Sequence, residues 1–128
     1  MIVGIGVDLV DLARFERAVD RTPRLRERLF AESERMLPLR SLAGRYAAKE
    51  ALIKALGGSD GVRWLDIIVD KTDDGGPFFT LSGTTAEAVA SRGITALHVT
   101  MSHDGGAAIA FVVAEKDTNQ TETQGGRQ

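Results

Sequence analysis

The stretch of sequence that decides the fold is SLAGRYAAKEALIKAL, residues 41–56. It is rich in alanine and leucine and contains no proline, a composition that favours a stable α-helix. Gly57 and Gly58 follow it, and glycine directly after a helical segment commonly ends the helix. We therefore predict one long helix over residues 41–56.

This predicted helix has no continuous polar face. On a helical wheel its large apolar side chains cover one sector, and alanine and glycine cover nearly all of the rest. A helix of this kind packs on both sides, so its charged residues need a partner or a ligand. Glu50 and Lys54 lie one turn apart between the two sectors. The alternative is that they form an ordinary helical ion pair.

The N-terminal segment IVGIGVDLV, residues 2–10, alternates in the manner of a β-strand. One face is aliphatic, and the other carries Gly4, Gly6 and Asp8, where glycine allows close approach of a helix. If the long helix packs there, Asp8 and Glu50 converge. Two carboxylates with open coordination positions suit Mg²⁺ bound to substrate phosphates. The alternative is that Asp8 is a strand-end or capping aspartate.

The remaining elements are short, and their order predicts an α+β fold with a small antiparallel sheet packed on a long central helix. The sequence Asp104-Gly105-Gly106 indicates a hairpin. Residues 1–115 form one domain, and residues 116–128 contain no large apolar residue, so we expect a disordered C-terminal tail. We predict helical pieces from residue 12, near residue 25, over 33–38 and over 84–91, and strands over 65–71, 78–81, 96–102 and 107–114.

Composition excludes several classes of site. The 128 residues include no cysteine and two histidines, which rules out disulfide scaffolds, thiolate zinc sites and all-histidine metal sites. No apolar run approaches the roughly 20 residues of a membrane helix. The start of the chain lacks the basic region of a signal peptide. With a net charge of −2, we expect a soluble cytoplasmic protein with no membrane or nucleic-acid partner.

Positive charge is concentrated in one segment. Residues 14–45 contain nine arginines against five acidic residues. A basic segment on an acidic chain indicates a docking surface for an anionic partner. The alternative is a solvated helix face of mixed charge.

Three further motifs are weaker. Gly4-x-Gly6 lacks the third glycine of a dinucleotide-binding fingerprint. The loop GGSDG, residues 57–61, follows a helix C-terminus, where the helix dipole repels anions. Ser102-His103-Asp104 does not suit a hydrolase triad because neighbours in a strand point to opposite faces. His103 remains a candidate contact for a ligand.

The combination of motifs is more specific than any one of them. GIGVDLV at 4–10, Arg14, GRYAAKEALIKALG at 44–57 and HVTMSHDGGAAIAFVVAE at 98–115 occur in this order. Together they resemble the holo-acyl-carrier-protein synthases, the short-chain class of 4′-phosphopantetheinyl transferases. The loop GGSDG differs from the family, which usually has a sequence similar to GTGI there.

The resemblance implies transfer of phosphopantetheine from coenzyme A to a serine of an acyl carrier protein, with release of 3′,5′-ADP. It implies that Asp8 and Glu50 hold Mg²⁺ and that Lys54 contacts phosphate. Glu50 would accept the serine proton. Arg45, Lys49, Lys54, Gly57 and His103 would contact the nucleotide, and Arg14, Arg17, Arg21 and Arg24 would contact the carrier protein.

The resemblance also implies a homotrimer in which neighbouring subunits share each site. It leaves open whether the carrier belongs to fatty-acid synthesis, to polyketide synthesis or to neither. Two other functions stay open on the residues alone. One is another metal-dependent enzyme acting on phosphate esters, and the other is a non-catalytic module that binds a carrier protein.

Overall fold

A computed structural model describes residues 1–117 and has an α+β architecture, as predicted. A long helix lies across a three-stranded antiparallel sheet, and a two-stranded hairpin and a further helix pack beside them. A 3₁₀ turn, Trp64–Asp66, precedes the hairpin. The elements are β1 (Ile2–Asp11), α1 (Leu12–Arg21), α2 (Leu25–Leu29), α3 (Leu39–Ala55), β2 (Ile67–Lys71), β3 (Pro77–Leu81), α4 (Gly83–Ser91), β4 (Ala96–Asp104) and β5 (Ala107–Glu115).

The three-stranded sheet has the order β1-β5-β4, with β5 in the centre. Asp8 of β1 pairs with Ala110 of β5, which pairs in turn with Met101 of β4. The predicted hairpin joins β4 to β5, and Gly105 and Gly106 both have positive φ angles, 54° and 80°. This is the conformation that a tight hairpin turn requires and that glycine adopts without strain.

The predicted contact between β1 and the long helix is confirmed. A Cβ atom on Gly4 would lie 1.9 Å from the carbonyl oxygen of Ala55, and one on Gly6 would lie 1.9 Å from that of Ala51. The backbones of β1 and α3 therefore touch, and only glycine fits at these two strand positions. This contact places the next residue on the same strand face, Asp8, under the middle of α3.

The opposite face of β1 is exposed. Val3, Ile5, Val7 and Leu9 are 44–68% exposed, and Ile109 and Phe111 of β5 extend the same surface at 40% and 41%. We call these six side chains the outer apolar patch. Soluble monomers rarely present contiguous apolar patches of this kind, and larger ones commonly mark an interaction site.

The structure differs from the sequence prediction on both sides of Pro38. No helix forms over residues 33–38, where the chain makes turns, and α3 begins at Leu39 rather than at residue 41. The turns arise because the Glu34 side chain points into the core, where its carboxylate accepts a hydrogen bond from the backbone of Ala31. Pro38, predicted to end a helix, instead stands directly before one, a position that its fixed φ angle suits.

The ends of the other elements lie within two residues of the prediction; the strand predicted from residue 65 begins at Ile67, because Trp64–Asp66 form a 3₁₀ turn. Asp11 caps α1, and its carboxylate accepts a hydrogen bond from the backbone of Arg14 at 2.9 Å. Of the predicted tail, Lys116 pairs its backbone with Met1, which extends the ordered chain slightly beyond β5. The remainder of that prediction, residues 118–128, lies outside the described residues. Within residues 1–117, no helix has the length and apolar character needed to cross a membrane.

Candidate active site

Three predicted site residues meet where β1 passes under α3. Asp8 and Glu50 line the same cavity, and Lys54 follows Glu50 by one helical turn. The Lys54 ammonium donates hydrogen bonds to Oδ1 of Asp8 at 3.1 Å and to the carbonyl oxygen of Val7 at 2.9 Å. The structure therefore brings together the two carboxylates and the cation that the sequence analysis selected.

The Glu50 carboxyl group has a raised pKa. Partial burial is the main cause, because it penalises the charged form, and the negative charge of Asp8 raises the pKa further. Lys54 and a hydrogen bond from the Tyr46 hydroxyl act in the opposite direction but do not cancel the rise. The two carboxylates are thus only partly neutralised by the protein itself, and a bound cation would relieve their repulsion.

An open cavity of about 590 Å³ begins at these carboxylates and extends toward α1 and α2. Besides Asp8 and Glu50, its charged lining residues are Asp11 and Arg14. A cavity with one polar end and apolar walls can hold an apolar group beside a reacting polar one. The apolar and aromatic lining residues include Phe15, Leu25, Leu29, Tyr46 and Trp64.

Tyr46 has a role that the sequence analysis missed, because it was counted there only as a bulky apolar residue. Its ring stacks on Trp64 with a centroid distance of 5.4 Å and contacts Phe15 at the same distance. Burial is the main cause that raises the pKa of Tyr46, and the negative charge of Glu50 raises it further. The signal was available in the sequence, because Tyr46 precedes Glu50 by one helical turn.

The donor set of the site fits a hard divalent cation. Carboxylate oxygens are the protein ligands that Mg²⁺ prefers, and Mg²⁺ usually keeps waters or substrate phosphates in its remaining positions. Asp8 and Glu50 supply two carboxylates at an open cavity. No cluster of three or more acidic, histidine or cysteine side chains suited to a metal occurs in the described part of the chain. These two residues would therefore hold the ion together with oxygens from elsewhere.

Lys49 is not at the surface, contrary to its predicted contact with a nucleotide. Its side chain is fully buried, with the ammonium 2.7 Å from Oε1 of Glu34, 2.8 Å from the carbonyl oxygen of Leu29 and 5.0 Å from the centroid of the Phe30 ring. Burial lowers the pKa of Lys49, and the Glu34 carboxylate opposes this. Lys49 is therefore paired with Glu34 in the core, where its ammonium is not accessible to a ligand.

Arg45 is also largely buried, which corrects the second predicted nucleotide contact on this helix. Its Nε donates to the carbonyl oxygen of Val69 at 3.3 Å and lies 3.9 Å from Oε2 of Glu34. Glu34 in turn accepts from the backbone of Val69 at 3.0 Å. Glu34, Arg45 and Lys49 form a buried ion network that joins the α2–α3 connection to α3 and β2. The role of Glu34 in this network had no local signal in the sequence, because Arg45, Lys49 and Val69 lie 11–35 residues away from it.

His103 and Gly57 lie apart from the carboxylates. Nε2 of His103 is 3.0 Å from the carbonyl oxygen of Arg40, and the ring packs against Gly44 near the start of α3. His103 belongs to β4, and the central strand β5 separates it from β1. Gly57 is exposed in the turn after α3, where its φ of 83° ends the helix. One chain therefore does not bring these two residues to Asp8 and Glu50.

The predicted docking arginines are all exposed. Arg14, Arg17 and Arg21 lie on α1, and Arg24 stands at the start of α2 in a left-handed conformation with φ of 66°. Arg14 also lines the cavity that leads to Glu50. The basic surface and the carboxylate site are therefore continuous through Arg14.

The sequence matches the 4′-phosphopantetheinyl transferase superfamily over residues 4–112. The chain belongs to this superfamily. Among proteins similar to it, the holo-[acyl-carrier-protein] synthase of Leifsonia xyli subsp. xyli is 58% identical over 118 residues, which are 92% of this chain and 100% of that protein. The synthase of Clavibacter michiganensis subsp. michiganensis is 58% identical over 117 residues, 91% of this chain and 98% of that one.

Solved structures of the superfamily have the same fold as this member. The holo-[acyl-carrier-protein] synthase of Neisseria meningitidis superposes with a TM-score of 0.85 at 32% identity, covering 91% of this chain and 100% of that one. The Helicobacter pylori synthase, solved in complex with coenzyme A, gives a TM-score of 0.77 at 38% identity, covering 87% and 99%. The α+β fold predicted from the sequence is thus the fold of this superfamily.

The raised pKa of Glu50 predicts that the ionised Glu50 side chain lowers the stability of the folded protein. Because folding raises that pKa above its ordinary value of 4.5, the unfolded chain loses the proton at a lower pH than the folded one. Ionised Glu50 therefore lowers the free energy of unfolding, and this loss develops as the pH rises from the ordinary value through the raised one. We expect Glu50→Gln to raise the Tm at neutral pH, measured by calorimetry without added metal.

The difference in Tm between wild type and this variant should shrink as the pH falls below the ordinary pKa of 4.5, because Glu50 then becomes protonated in both the folded and the unfolded state. Glu87→Gln, at an exposed position on α4, is the matched control and should leave the Tm unchanged. A lower Tm for Glu50→Gln than for wild type at neutral pH would contradict the assignment.

Proposed function

We propose that this protein transfers the 4′-phosphopantetheine group of coenzyme A to a serine hydroxyl of an apo acyl carrier protein, with release of 3′,5′-ADP. The observation that carries the proposal is that Asp8 and Glu50 line one cavity and that Lys54 bonds to Asp8. Membership of the superfamily and the names of the similar proteins support it. A cytoplasmic location, where coenzyme A is available, belongs to the same proposal.

In this proposal Asp8 and Glu50 hold Mg²⁺. The ion supplies charge neutralisation at the diphosphate of coenzyme A. The serine oxygen forms a bond to the phosphorus that carries the pantetheine arm, and the bond from that phosphorus to the 3′,5′-ADP oxygen breaks. Lys54 stabilises negative charge on the phosphate oxygens. The Glu50 carboxylate accepts the serine proton.

The carrier protein would approach from the side of α1. Arg14, Arg17, Arg21 and Arg24 offer positive charge there, and the apolar cavity wall begins beside Arg14. Acyl carrier proteins are acidic, so charge complementarity would guide the encounter and fix the orientation. An apolar side chain of the carrier in the cavity would bring its serine toward Glu50.

We further propose a homotrimer with each site shared between two subunits. Two observations support it. The outer apolar patch is exposed in a single chain. The predicted nucleotide contact His103 lies on β4, across the sheet from Asp8. A neighbouring subunit packed on the patch would cover it, and would supply His103 and the nucleotide-binding surface that one chain lacks beside Asp8.

Modification of a carrier protein tests the reaction directly. Purified protein, Mg²⁺, coenzyme A and an apo carrier should yield a carrier heavier by one phosphopantetheine group in an intact-mass spectrum. We expect Asp8→Asn and Glu50→Gln to slow this by about 100-fold or more, because each removes one of two metal-binding carboxylates. Glu87→Gln should retain full activity, and excess chelator should abolish the activity of the wild type.

The other candidate functions give different results in the same assay. Release of phosphate from coenzyme A without a carrier would favour a phosphate-ester hydrolase. Stable binding of the carrier without a change of its mass would favour a non-catalytic module. Either outcome would contradict the proposed transferase reaction.

Charge reversal at Arg14 tests the docking surface. We expect Arg14→Glu to raise the KM for the carrier protein by roughly tenfold, because an attraction to acidic side chains becomes a repulsion. The KM for coenzyme A should change by less than about twofold, and the effect should shrink at high salt. Lys71→Glu, an exposed charge reversal on the β2–β3 hairpin, is the control. An equal rise in both KM values would discredit the docking assignment.

A charge placed on the outer apolar patch tests the trimer. Ile109 on the patch and Leu65 outside it are 40% and 42% exposed, so the two positions are matched in size and exposure. We expect light scattering to give a trimer for wild type and for Leu65→Asp, and a monomer with little activity for Ile109→Asp, because burying an unpaired charge opposes assembly. A wild-type protein that is active as a monomer would overturn the proposed shared site.

A further inference from the structure

Lys54 makes two different contacts from one flexible side chain. Its ammonium bonds to the Asp8 carboxylate at 3.1 Å and to the Val7 carbonyl oxygen at 2.9 Å. The side chain is 52% exposed, whereas that of Asp8 is 16% exposed. Lys54 therefore reaches from solvent into the site and holds one oxygen of a carboxylate that the proposed cation would also use.

A cation at Asp8 and Lys54 in its present position would compete for the same carboxylate, although Lys54 contacts only its Oδ1 atom. Both are positive and both use the Asp8 carboxylate, so their simultaneous presence brings like charges into contact. Lys54 can leave at low cost, because exposed ion pairs are weak and its four-carbon stem is flexible. The Val7 carbonyl oxygen stays available to the ammonium as a neutral partner after Asp8 is released.

We propose that Lys54 is an exchangeable counter-ion that couples binding of the divalent cation to binding of the diphosphate substrate. Without ligands, Lys54 neutralises Asp8 and competes with the cation. When the cation takes Asp8, the displaced ammonium bonds to a phosphate oxygen of the substrate, so each ligand favours the other. This inference rests on the proposed function of the site and adds to it that Lys54 bonds first to Asp8 and then to a substrate phosphate.

The proposed coupling predicts that removing Lys54 changes cation affinity in the absence of substrate. Simple phosphate binding by Lys54 predicts no such change. Removing Lys54 removes a competitor of the cation in the free protein, but removes a substrate contact in the complex. Cation binding should therefore become tighter without coenzyme A, and coenzyme A should strengthen it less than in wild type. Because coupling free energies are reciprocal, the cation should also strengthen coenzyme A binding less in the variant.

Titration of Mn²⁺, followed by electron paramagnetic resonance, measures this coupling without turnover. We expect Lys54→Met to bind Mn²⁺ roughly two- to fivefold more tightly than wild type without coenzyme A, the range expected for loss of an exposed ion pair. The strengthening of Mn²⁺ binding by coenzyme A should fall by a similar factor. Lys54→Arg, which retains the charge, should stay close to wild type. Lys71→Met, at an exposed lysine far from the site, should leave both values unchanged.

The exchange itself can be followed at the ammonium group. In protein labelled with ¹⁵N at lysine, Mg²⁺ should shift the Lys54 ammonium signal, and coenzyme A should shift it again. A Lys54 signal that Mg²⁺ does not alter would overturn the inference, as would unchanged Mn²⁺ affinity in Lys54→Met. Lys54→Gln serves as a second variant if Lys54→Met does not fold.

Failure of the inference is distinguishable from failure of the proposed function. If Asp8→Asn and Glu50→Gln both bind Mn²⁺ as tightly as wild type, the metal site itself is wrong. If those two variants lose Mn²⁺ binding while Lys54→Met matches wild type in affinity and in coupling, only the counter-ion role is wrong.

Discussion

The contact between the backbones of β1 and α3 is the constraint on which the active site depends. A side chain at Gly4 or Gly6 would collide with carbonyl oxygens of the helix, so the strand face must be bare there. The helix has small side chains on its buried surface, where Ala47, Ala48 and Ala51 are fully buried. Because the two backbones touch, Asp8, two residues after Gly6 on the same strand face, lies near Glu50 of the helix.

Close packing on both sides also explains why α3 uses its charges in two ways. Lys49 points into the core and is neutralised by Glu34, whereas the half-exposed Lys54 bonds to Asp8, which lines the cavity. Breaking the buried pair would leave an uncompensated charge, which is strongly destabilising. The pair at the cavity is partly exposed and can exchange partners at low cost. One network therefore fixes the helix, and the other can respond to ligands.

The sequence predicted the parts of the structure that local pattern controls. Glycine alternation in residues 2–10 and the alanine-rich helix were sufficient to predict that Asp8 and Glu50 converge. The positions of Arg45 and Lys49 were not predictable, because the choice between core and cavity depends on Glu34, which is close only after folding. His103 shows a third case. Its contacts within one chain are defined, but its predicted role depends on a neighbouring subunit. The sequence pattern of one chain does not specify how subunits are arranged.

The most direct test of the account is a crystal structure of the protein with Mn²⁺ and coenzyme A, in which the anomalous signal locates the ion. We expect one peak bound by carboxylate oxygens of both Asp8 and Glu50, with the diphosphate as a further ligand and the Lys54 ammonium moved from Asp8 to a phosphate oxygen. A peak that contacts neither carboxylate, or a coenzyme A diphosphate bound away from both, would contradict it.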